Sequence, residues 1–213
     1  MDSLTVGADG RAALVAGAST VIGAAVARRL AADGFAVVSE VGDAPLDVAV
    51  YAVVEPESLS PRPLVETDES TFARWCEAQM RDLLQWLQQV HAPVRDRAGT
   101  VVLVAPTVSQ EGAAGLVPYA TAVEGQRLMA KSAARQWASD GISVLIVAPR
   151  VEALVDDPRR LDGTDALRNE PALGPDSYGP GAVADVVSMV VAPDARVLSG
   201  ATLPVDGGAL MAP

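Results

Sequence analysis

The sequence is poor in the residues that cross-link chains or bind metals. Its 213 residues include one cysteine, Cys76, one histidine, His91, and one lysine, Lys131. A single cysteine excludes an internal disulfide, favours a reducing compartment and leaves no cluster with metal-ligand spacing. We expect His91 to be exposed at a helix end and Cys76 to lie in the core or an interface. The sequence therefore predicts a cytoplasmic protein with no metal site.

Positive charge is also scarce. Lys and Arg number 16 against 27 Asp and Glu, so the formal net charge is −11. Nucleic-acid binding needs clustered Lys and Arg, and this balance argues against it. Residues 1–11 are predicted to form a polar N-terminal tail, and the first apolar run, 12–16, is too short for a signal-peptide core or a membrane span. We predict no nucleic-acid partner and no membrane partner.

The chain is rich in hydrophobic residues, which make up half of its length. Short aliphatic runs alternate with helical patterns, which is typical of a parallel, doubly wound α/β sheet in one domain, 1–213. Residues 151–179, rich in Asp, Arg, Pro and Gly, are predicted to form a variable surface or substrate loop. The predicted strands are 12–16, 35–41, 46–54, 100–105, 142–148 and 201–205. The predicted helices are 20–33, 69–92, 118–139 and 180–191.

One helix expected from this alternation of strands and helices is missing. Only residues 42–45 separate the second predicted strand from the third. Consecutive parallel strands need a crossover of a dozen or more residues, usually helical. Either the two strands fray, or the linker crosses the sheet without a helix. We predict a shortened sheet that lacks the usual helix and strand after strand 2.

Residues 12–38 read as a strand, a glycine-bearing turn, a helix and a second strand, which is how a dinucleotide-binding βαβ unit begins. The turn runs from Gly17 to Gly23, with Val21 where a middle glycine is expected. A β-branched side chain there projects toward the pyrophosphate position and stiffens the turn. Gly17 and Gly23 are then either remnants of a cofactor site or glycines kept for tight strand–helix packing.

In their order and spacing, several motifs resemble those of the short-chain dehydrogenase/reductase family. The resemblance covers residue 12 to the C-terminus and implies a Rossmann-like fold. Its landmarks are the glycine turn 17–23, Leu-Asp-Val at 46–48, Tyr119 opening a helix, Gly-Ile-Ser-Val at 141–144 with Ala-Pro at 148–149, Leu-Ser-Gly at 198–200, and Val-Asp-Gly-Gly at 205–208.

The cofactor features that this resemblance implies are altered together. The family's Asn-Asn-Ala-Gly motif corresponds to Tyr-Ala-Val-Val at 51–54, and the segments that form the family's adenine pocket are missing after Glu40. With the replacement at Val21, these changes predict a chain that binds no NAD(P). Gly17 and Gly23 are then vestigial cofactor-binding positions.

The catalytic set implied by the resemblance is incomplete. Tyr119 is present, but Pro106 stands where the family has a serine, thirteen residues earlier, and Val123 where it has a lysine, four residues later. Without the lysine, the Tyr119 phenol should titrate near its usual pKa of about 10 and be a poor general base at neutral pH.

Three further positions are candidates for a role in the cleft. Gln79 aligns with the asparagine of the family's proton relay, and Thr107 could supply a hydroxyl beside Pro106. Arg150 replaces a family glycine at the sheet's carboxyl edge, where it could bind a substrate or another anionic group. The alternative for Arg150 is a rim arginine paired with a surface acid such as Asp156 or Asp157.

Three functions stay open, and whether the chain is an enzyme is one of the points at issue. The favoured hypothesis is a degenerate, non-catalytic pseudoenzyme. It would be a structural or regulatory subunit of a homo-oligomer, dimer or tetramer, or of a hetero-oligomer with an active relative, assembled through helices 69–92 and 118–139. The second is a cofactor-independent lyase, isomerase, cyclase or dehydratase that uses Tyr119 on a small carbonyl compound or acyl thioester. The third is a divergent NAD(P)-dependent oxidoreductase.

Overall fold

A computed structural model describes residues 10–164 and 169–211. Residues 1–9 of the predicted tail and 165–168 of the predicted loop lie outside the described residues. The strands are β1 (Ala12–Ala16), β2 (Ala36–Val38), β3 (Val48–Tyr51), β4 (Thr100–Val104), β5 (Ser143–Pro149) and β6 (Thr202–Val205). The α-helices are α1 (Val21–Ala32), α2 (Glu69–Phe72), α3 (Ala78–Arg95), α4 (Val108–Glu111), α5 (Val117–Trp137) and α6 (Pro180–Val190).

The strands form one parallel sheet in the order β2-β1-β3-β4-β5-β6. Helix α1 packs against α6, and α3 packs against α5, so the sheet is covered by two helical layers. The central strands β3, β4 and β5 are buried along their whole length, as expected for a sheet covered on both faces. The predicted Rossmann-like, doubly wound fold is confirmed.

The link between β2 and β3 contains no helix. Both strands are shorter than predicted, and residues 39–47 pass across the sheet as an irregular segment. The Leu46 side chain is buried, and its N–H donates to the Pro93 carbonyl at 2.9 Å. The Asp47 carboxylate accepts from the Ala12 N–H at 2.8 Å, which fixes the segment to the start of β1. The two strands are therefore shortened and the linker also crosses the sheet without a helix, so both alternatives suggested by the sequence occur together.

The predicted helix 69–92 forms as α2, a π-helical turn (Ala73–Glu77) and α3. Asp68 caps its start, because its carboxylate accepts from the Thr71 N–H at 2.7 Å. The last turn runs past the predicted end to Arg95 and includes Pro93. Cys76 lies in the π-helical turn, fully buried as predicted, and burial raises the pKa of its thiol. A π-helical turn leaves backbone carbonyls free for other partners, and one of them is used at the site below.

Candidate active site

The candidate residues collect at one edge because the strands are parallel. β1 leads into Gly17, β3 into Ala52, β4 into Pro106 and β5 into Arg150. All four positions follow the carboxyl ends of neighbouring strands, where open α/β sheets bind ligands.

The two glycines of the first turn allow a close backbone approach. Gly17 has φ +83°, and a Cβ on it would lie 2.4 Å from the Ala52 carbonyl oxygen. A Cβ on Gly23 would lie 1.9 Å from the Gly17 oxygen. The Thr20 hydroxyl caps α1 by accepting from the Gly23 N–H at 3.0 Å, and it lies 2.8 Å from the Gly17 oxygen. Packing alone therefore requires glycine at both positions.

The start of α1 remains suitable for the phosphates of a dinucleotide. No described residue accepts a backbone hydrogen bond from the N–H groups of Val21 or Ile22, and such groups at a helix N-terminus bind anions. The adenosine end of such a ligand would lie after β2, where Glu40 is exposed. The described chain has neither helix nor strand between β2 and β3 to enclose an adenosine. The residues present therefore fit the phosphate end of NAD(P) better than its adenine end.

Tyr119 lies in the first turn of α5 and is only 3% exposed. Burial raises the pKa of its phenol, and no charged neighbour opposes that shift. The expectation of an ordinary pKa is therefore wrong, because it ignored desolvation of the phenolate. Thr107 is also buried, and its N–H donates to the Pro149 carbonyl at 2.9 Å, which brings it beside Arg150.

The Gln79 side chain is turned toward its own helix. Its amide donates to the Trp75 carbonyl at 2.7 Å, within the π-helical turn, and its backbone oxygen accepts from the Gln126 side chain at 2.9 Å. The side-chain amide thus satisfies a carbonyl of the π-helical turn, while the backbone oxygen of Gln79 links α3 to α5. A catalytic role for Gln79 stays a prediction.

Arg150 is neither free nor paired with the acids that the sequence suggested. Its Nε donates to Glu152 Oε1 at 2.7 Å and its Nη1 to the Asn169 carbonyl at 2.5 Å. The guanidinium also lies over the Tyr178 ring, 5.1 Å from its centroid. Because Glu152 neutralises Arg150, an anionic ligand would first have to displace that carboxylate.

The sequence reasoning missed Arg127, which is 1% exposed on α5. Its Nη2 donates to the carbonyls of Ala105 and Pro106 at 3.2 and 3.1 Å and to Ser109 Oγ at 2.7 Å. In the parallel ladder the Ala105 oxygen would accept from residue 149, but proline has no N–H. Arg127 supplies that missing donor.

A local signal for Arg127 was present in the sequence. Glu124 and Arg127 are spaced i,i+3 on one helix, and their side chains pair at 2.9 Å. The pattern is common on exposed helix faces, so it did not indicate burial.

Two remaining candidates lie away from this edge. His91 is half-buried rather than exposed, with Nε2 2.9 Å from an Asp140 carboxylate oxygen. Among the described residues, no group of three or more His, Cys, Asp or Glu side chains could hold a metal ion. None of the described helices is both long enough and apolar enough to cross a membrane.

Comparison with known proteins finds similarity to proteins named as reductases. A family model described as enoyl-(acyl carrier protein) reductase matches residues 42–209. The 3-oxoacyl-[acyl-carrier-protein] reductase FabG of Salmonella typhimurium is 33% identical over 156 residues, which cover 70% of this chain. The chain spans about 57% of that relative's length.

Two other relatives align over almost the whole chain. FabG of Vibrio cholerae is 29% identical over 249 residues, 95% of this chain and 98% of the relative. The 3-oxoacyl-[acyl-carrier-protein] reductase MabA of Mycobacterium tuberculosis is 28% identical, covering 93% and 92%. The first alignment is longer than the 213-residue chain, so it contains gaps here, as a shortened fold requires.

These relatives overturn the favoured functional hypothesis. The prediction of a non-catalytic subunit, its cofactor-independent alternative and the expectation of no cofactor are wrong, because the similar proteins are named reductases. The sequence reasoning treated Val21 and the missing segments as loss of the whole cofactor site. The structure instead keeps Gly17 in its left-handed conformation, and among the described residues none accepts a hydrogen bond from the Val21 or Ile22 N–H. With most of its length matched by the family model and its strands in one parallel, doubly wound sheet, the chain belongs to the short-chain dehydrogenase/reductase family.

Proposed function

We propose that the chain is a divergent nicotinamide-dependent reductase that acts on the carbonyl group of a small compound or of a 3-oxoacyl thioester. The observation that carries the proposal is its similarity, over more than nine-tenths of the chain, to two proteins named 3-oxoacyl-[acyl-carrier-protein] reductases. The preserved turn at Gly17 and the open amides of Val21 and Ile22 support it, because they can take the cofactor's phosphates.

The chain's own residues suit protonation better than proton abstraction. When bound, the nicotinamide would supply the hydride, and the reduced carbonyl oxygen would need a proton. Tyr119 can donate it, because burial keeps its phenol protonated at neutral pH. In this role the Tyr119 O–H bond breaks, the substrate O–H bond forms, and water restores the phenol. The Thr107 hydroxyl is the second donor that we assign to the carbonyl.

Access to Tyr119 requires a change from the described conformation. The phenol is 3% exposed, so substrate must shift neighbouring side chains before reaching it. Segment 151–179 is the predicted substrate loop, and its described part contacts Arg150 through Asn169 and Tyr178.

We also propose a cytoplasmic homo-oligomer assembled through α3 and α5. Leu84 on α3 and Leu128 on α5 are 47% and 66% exposed, and both line a groove of about 720 Å³ between these helices. A second copy would cover this apolar surface. Leu128→Glu should lower the mass measured by light scattering, whereas Val197→Glu, at an even more exposed apolar residue outside this groove, should not.

Calorimetric titration with NADH and NADPH tests the function directly. We expect binding with micromolar Kd and a preference for NADH, because the exposed Glu40 carboxylate after β2 disfavours a 2′-phosphate. Glu40→Arg should move the preference toward NADPH. Oxidation of NADH in the presence of acetoacetyl-CoA then tests turnover. Flat titrations with both dinucleotides would refute the proposal.

A further inference from the structure

A groove of about 550 Å³ lies between the last turns of α5 and the turn that precedes β6. Its polar lining consists of Lys131, Ser132 and Arg135 on α5 and Ser199 on the turn, and we call it the basic groove. The turn is fixed to the start of β5, because the N–H of Gly200 donates to the Val144 carbonyl at 2.7 Å. The basic groove therefore lies at the amino edge of the sheet, opposite to the candidate active site.

The basic groove is positively charged although the whole chain carries a net charge of −11. Lys131 and Arg135 both line it, and no acidic side chain among the described residues does. Both side chains are exposed, and neither forms a hydrogen bond or an ion pair with another described residue. The two residues are spaced i,i+4 on one helix, so their like charges repel each other. An anion bound between them would remove this repulsion.

The helix dipole accounts for only one of these two charges. Basic residues are stabilising in the last turn of a helix, and the effect fades beyond that turn. Arg135 lies in the last turn of α5, which ends at Trp137. Lys131 lies more than one turn before that end, and it is the one lysine of the sequence. The position of Lys131 beside Arg135 therefore needs another explanation.

Hydroxyl groups provide further donors on both walls of the groove. Ser132 is exposed next to Lys131, and its hydroxyl makes no hydrogen bond to another described residue. On the facing wall, Ser199 Oγ accepts from the Val144 N–H at 3.1 Å, which leaves its proton available to donate. A phosphate group carries nearly two negative charges and several strong acceptor oxygens. Two cations and two hydroxyls match those charges and acceptors.

We propose that the basic groove binds the phosphate group of a small molecule, with Lys131 and Arg135 as its counter-ions and Ser132 and Ser199 as hydroxyl donors. Arg135 can present two parallel N–H groups to such a ligand. A carboxylate fits less well, because it brings one charge and two oxygens. The site lies apart from the proposed reductase site and does not depend on it.

Titration with inorganic phosphate tests the site in the full chain. The deuterated protein is followed by ¹H–¹⁵N NMR at neutral pH and constant ionic strength, in its own oligomeric state, because Leu128 borders both this groove and the proposed subunit contact. We expect saturable shifts of the Ser132 and Gly200 amides and weaker binding of acetate. Lys131→Gln and Arg135→Gln should each weaken phosphate binding about fivefold or more, because each removes a charged hydrogen bond.

Arg28→Gln is the matched control. Arg28 is an exposed arginine on α1 that makes no hydrogen bond or ion pair with another described residue. The residues three and four positions away from it are alanines, so no second cation lies beside it. This variant should bind phosphate like wild type. All three substitutions replace exposed side chains, so their urea midpoints should stay close to that of wild type.

Several outcomes would overturn the phosphate site. They are shifts that do not saturate in wild type, acetate binding as tight as phosphate binding, unchanged affinity in Lys131→Gln and Arg135→Gln, and equal weakening by Arg28→Gln. Once phosphate binds as expected, glycerol 3-phosphate separates two sources of the group. Tighter binding than inorganic phosphate identifies an organic phosphate ester, and equal or weaker binding identifies free phosphate; either result supports the site. Flat dinucleotide titrations would refute the reductase proposal and leave this result unchanged.

Discussion

Replacing Arg127 by methionine tests whether a buried arginine stabilises the corner between β4 and α4. The variant keeps most of the side-chain volume and removes every donor. The Pro106 carbonyl keeps contacts from Ser109, whose Oγ and N lie at 3.2 and 3.4 Å. The Ala105 carbonyl has no such substitute, because Pro149 cannot donate to it.

The magnitude follows from two opposing effects. A buried carbonyl left without a donor costs about 1–3 kcal/mol, and the pair with half-exposed Glu124 adds about 0–1 kcal/mol. Against this, burying the guanidinium is costly, and its Nη1 has no hydrogen-bond partner among the described residues. Apolar replacement of buried ion pairs has stabilised other proteins. Here Glu124 reaches water and needs no partner, so the lost carbonyl bond dominates. We expect a net loss of about 1–3 kcal/mol.

Urea unfolding followed by tryptophan fluorescence measures this loss. In a thermal unfolding experiment, the same loss in the free energy of unfolding would lower Tm by about 2–12 °C for a chain of this length. Arg159→Met is the control, because Arg159 pairs with Asp157 at 2.8 Å while its side chain is 84% exposed. The urea midpoint of this variant should stay near that of wild type. An Arg127→Met protein at least as stable as wild type would show that desolvation of the guanidinium dominates instead.

Three further predictions concern backbone conformation and ionisation. Gly17→Ala should destabilise the fold by more than about 3 kcal/mol, because its Cβ would meet backbone at 2.4 Å, whereas Gly42→Ala, with open space, should unfold like wild type. A hydrogen bond from Ser188 holds the pKa of Asp33 below its usual value. That stability is present above pH about 4 and is lost as pH falls further, so Ser188→Ala should lower the urea midpoint at pH 6 more than at pH 2.5. Since burial raises the pKa of Tyr119, tyrosinate absorbance should rise at higher pH in folded than in urea-unfolded protein, and the difference should shrink in Tyr119→Phe.

The fold was predictable wherever burial and periodicity agreed. β1, β4 and β5 are continuous aliphatic runs, and their predicted ranges match the observed strands to within one residue. The second strand was predicted over 35–41 but pairs with β1 only at Ala36–Val38. An edge strand has one neighbour, so hydrophobicity alone does not fix its length. Here the chain leaves the sheet early to cross toward β3.

The sequence indicated where part of the candidate site lies but not which hydrogen bonds and ion pairs its side chains form. The resemblance placed Arg150 at the carboxyl edge of the sheet and Thr107 beside Pro106, and these residues do follow the ends of β5 and β4. It could not show that Glu152 neutralises Arg150, because a two-residue spacing is uninformative in an irregular turn. It also could not show that Arg127 replaces a hydrogen bond that Pro149 cannot make, since that relation depends on the register between β4 and β5.

The replacements at this edge have a common electrostatic consequence. Val123 removes the lysine whose charge would lower the pKa of the phenol, and the two buried arginines do not restore that charge. Arg127 is paired with Glu124 and Arg150 with Glu152. Neither of these two arginines is therefore free to stabilise a phenolate, and burial raises the pKa of Tyr119 so that it stays protonated. In the proposed reduction, a phenol in this environment would serve as a proton donor to the carbonyl oxygen. Because a reaction and its reverse share one transition state, the missing lysine would slow both directions of that reaction alike.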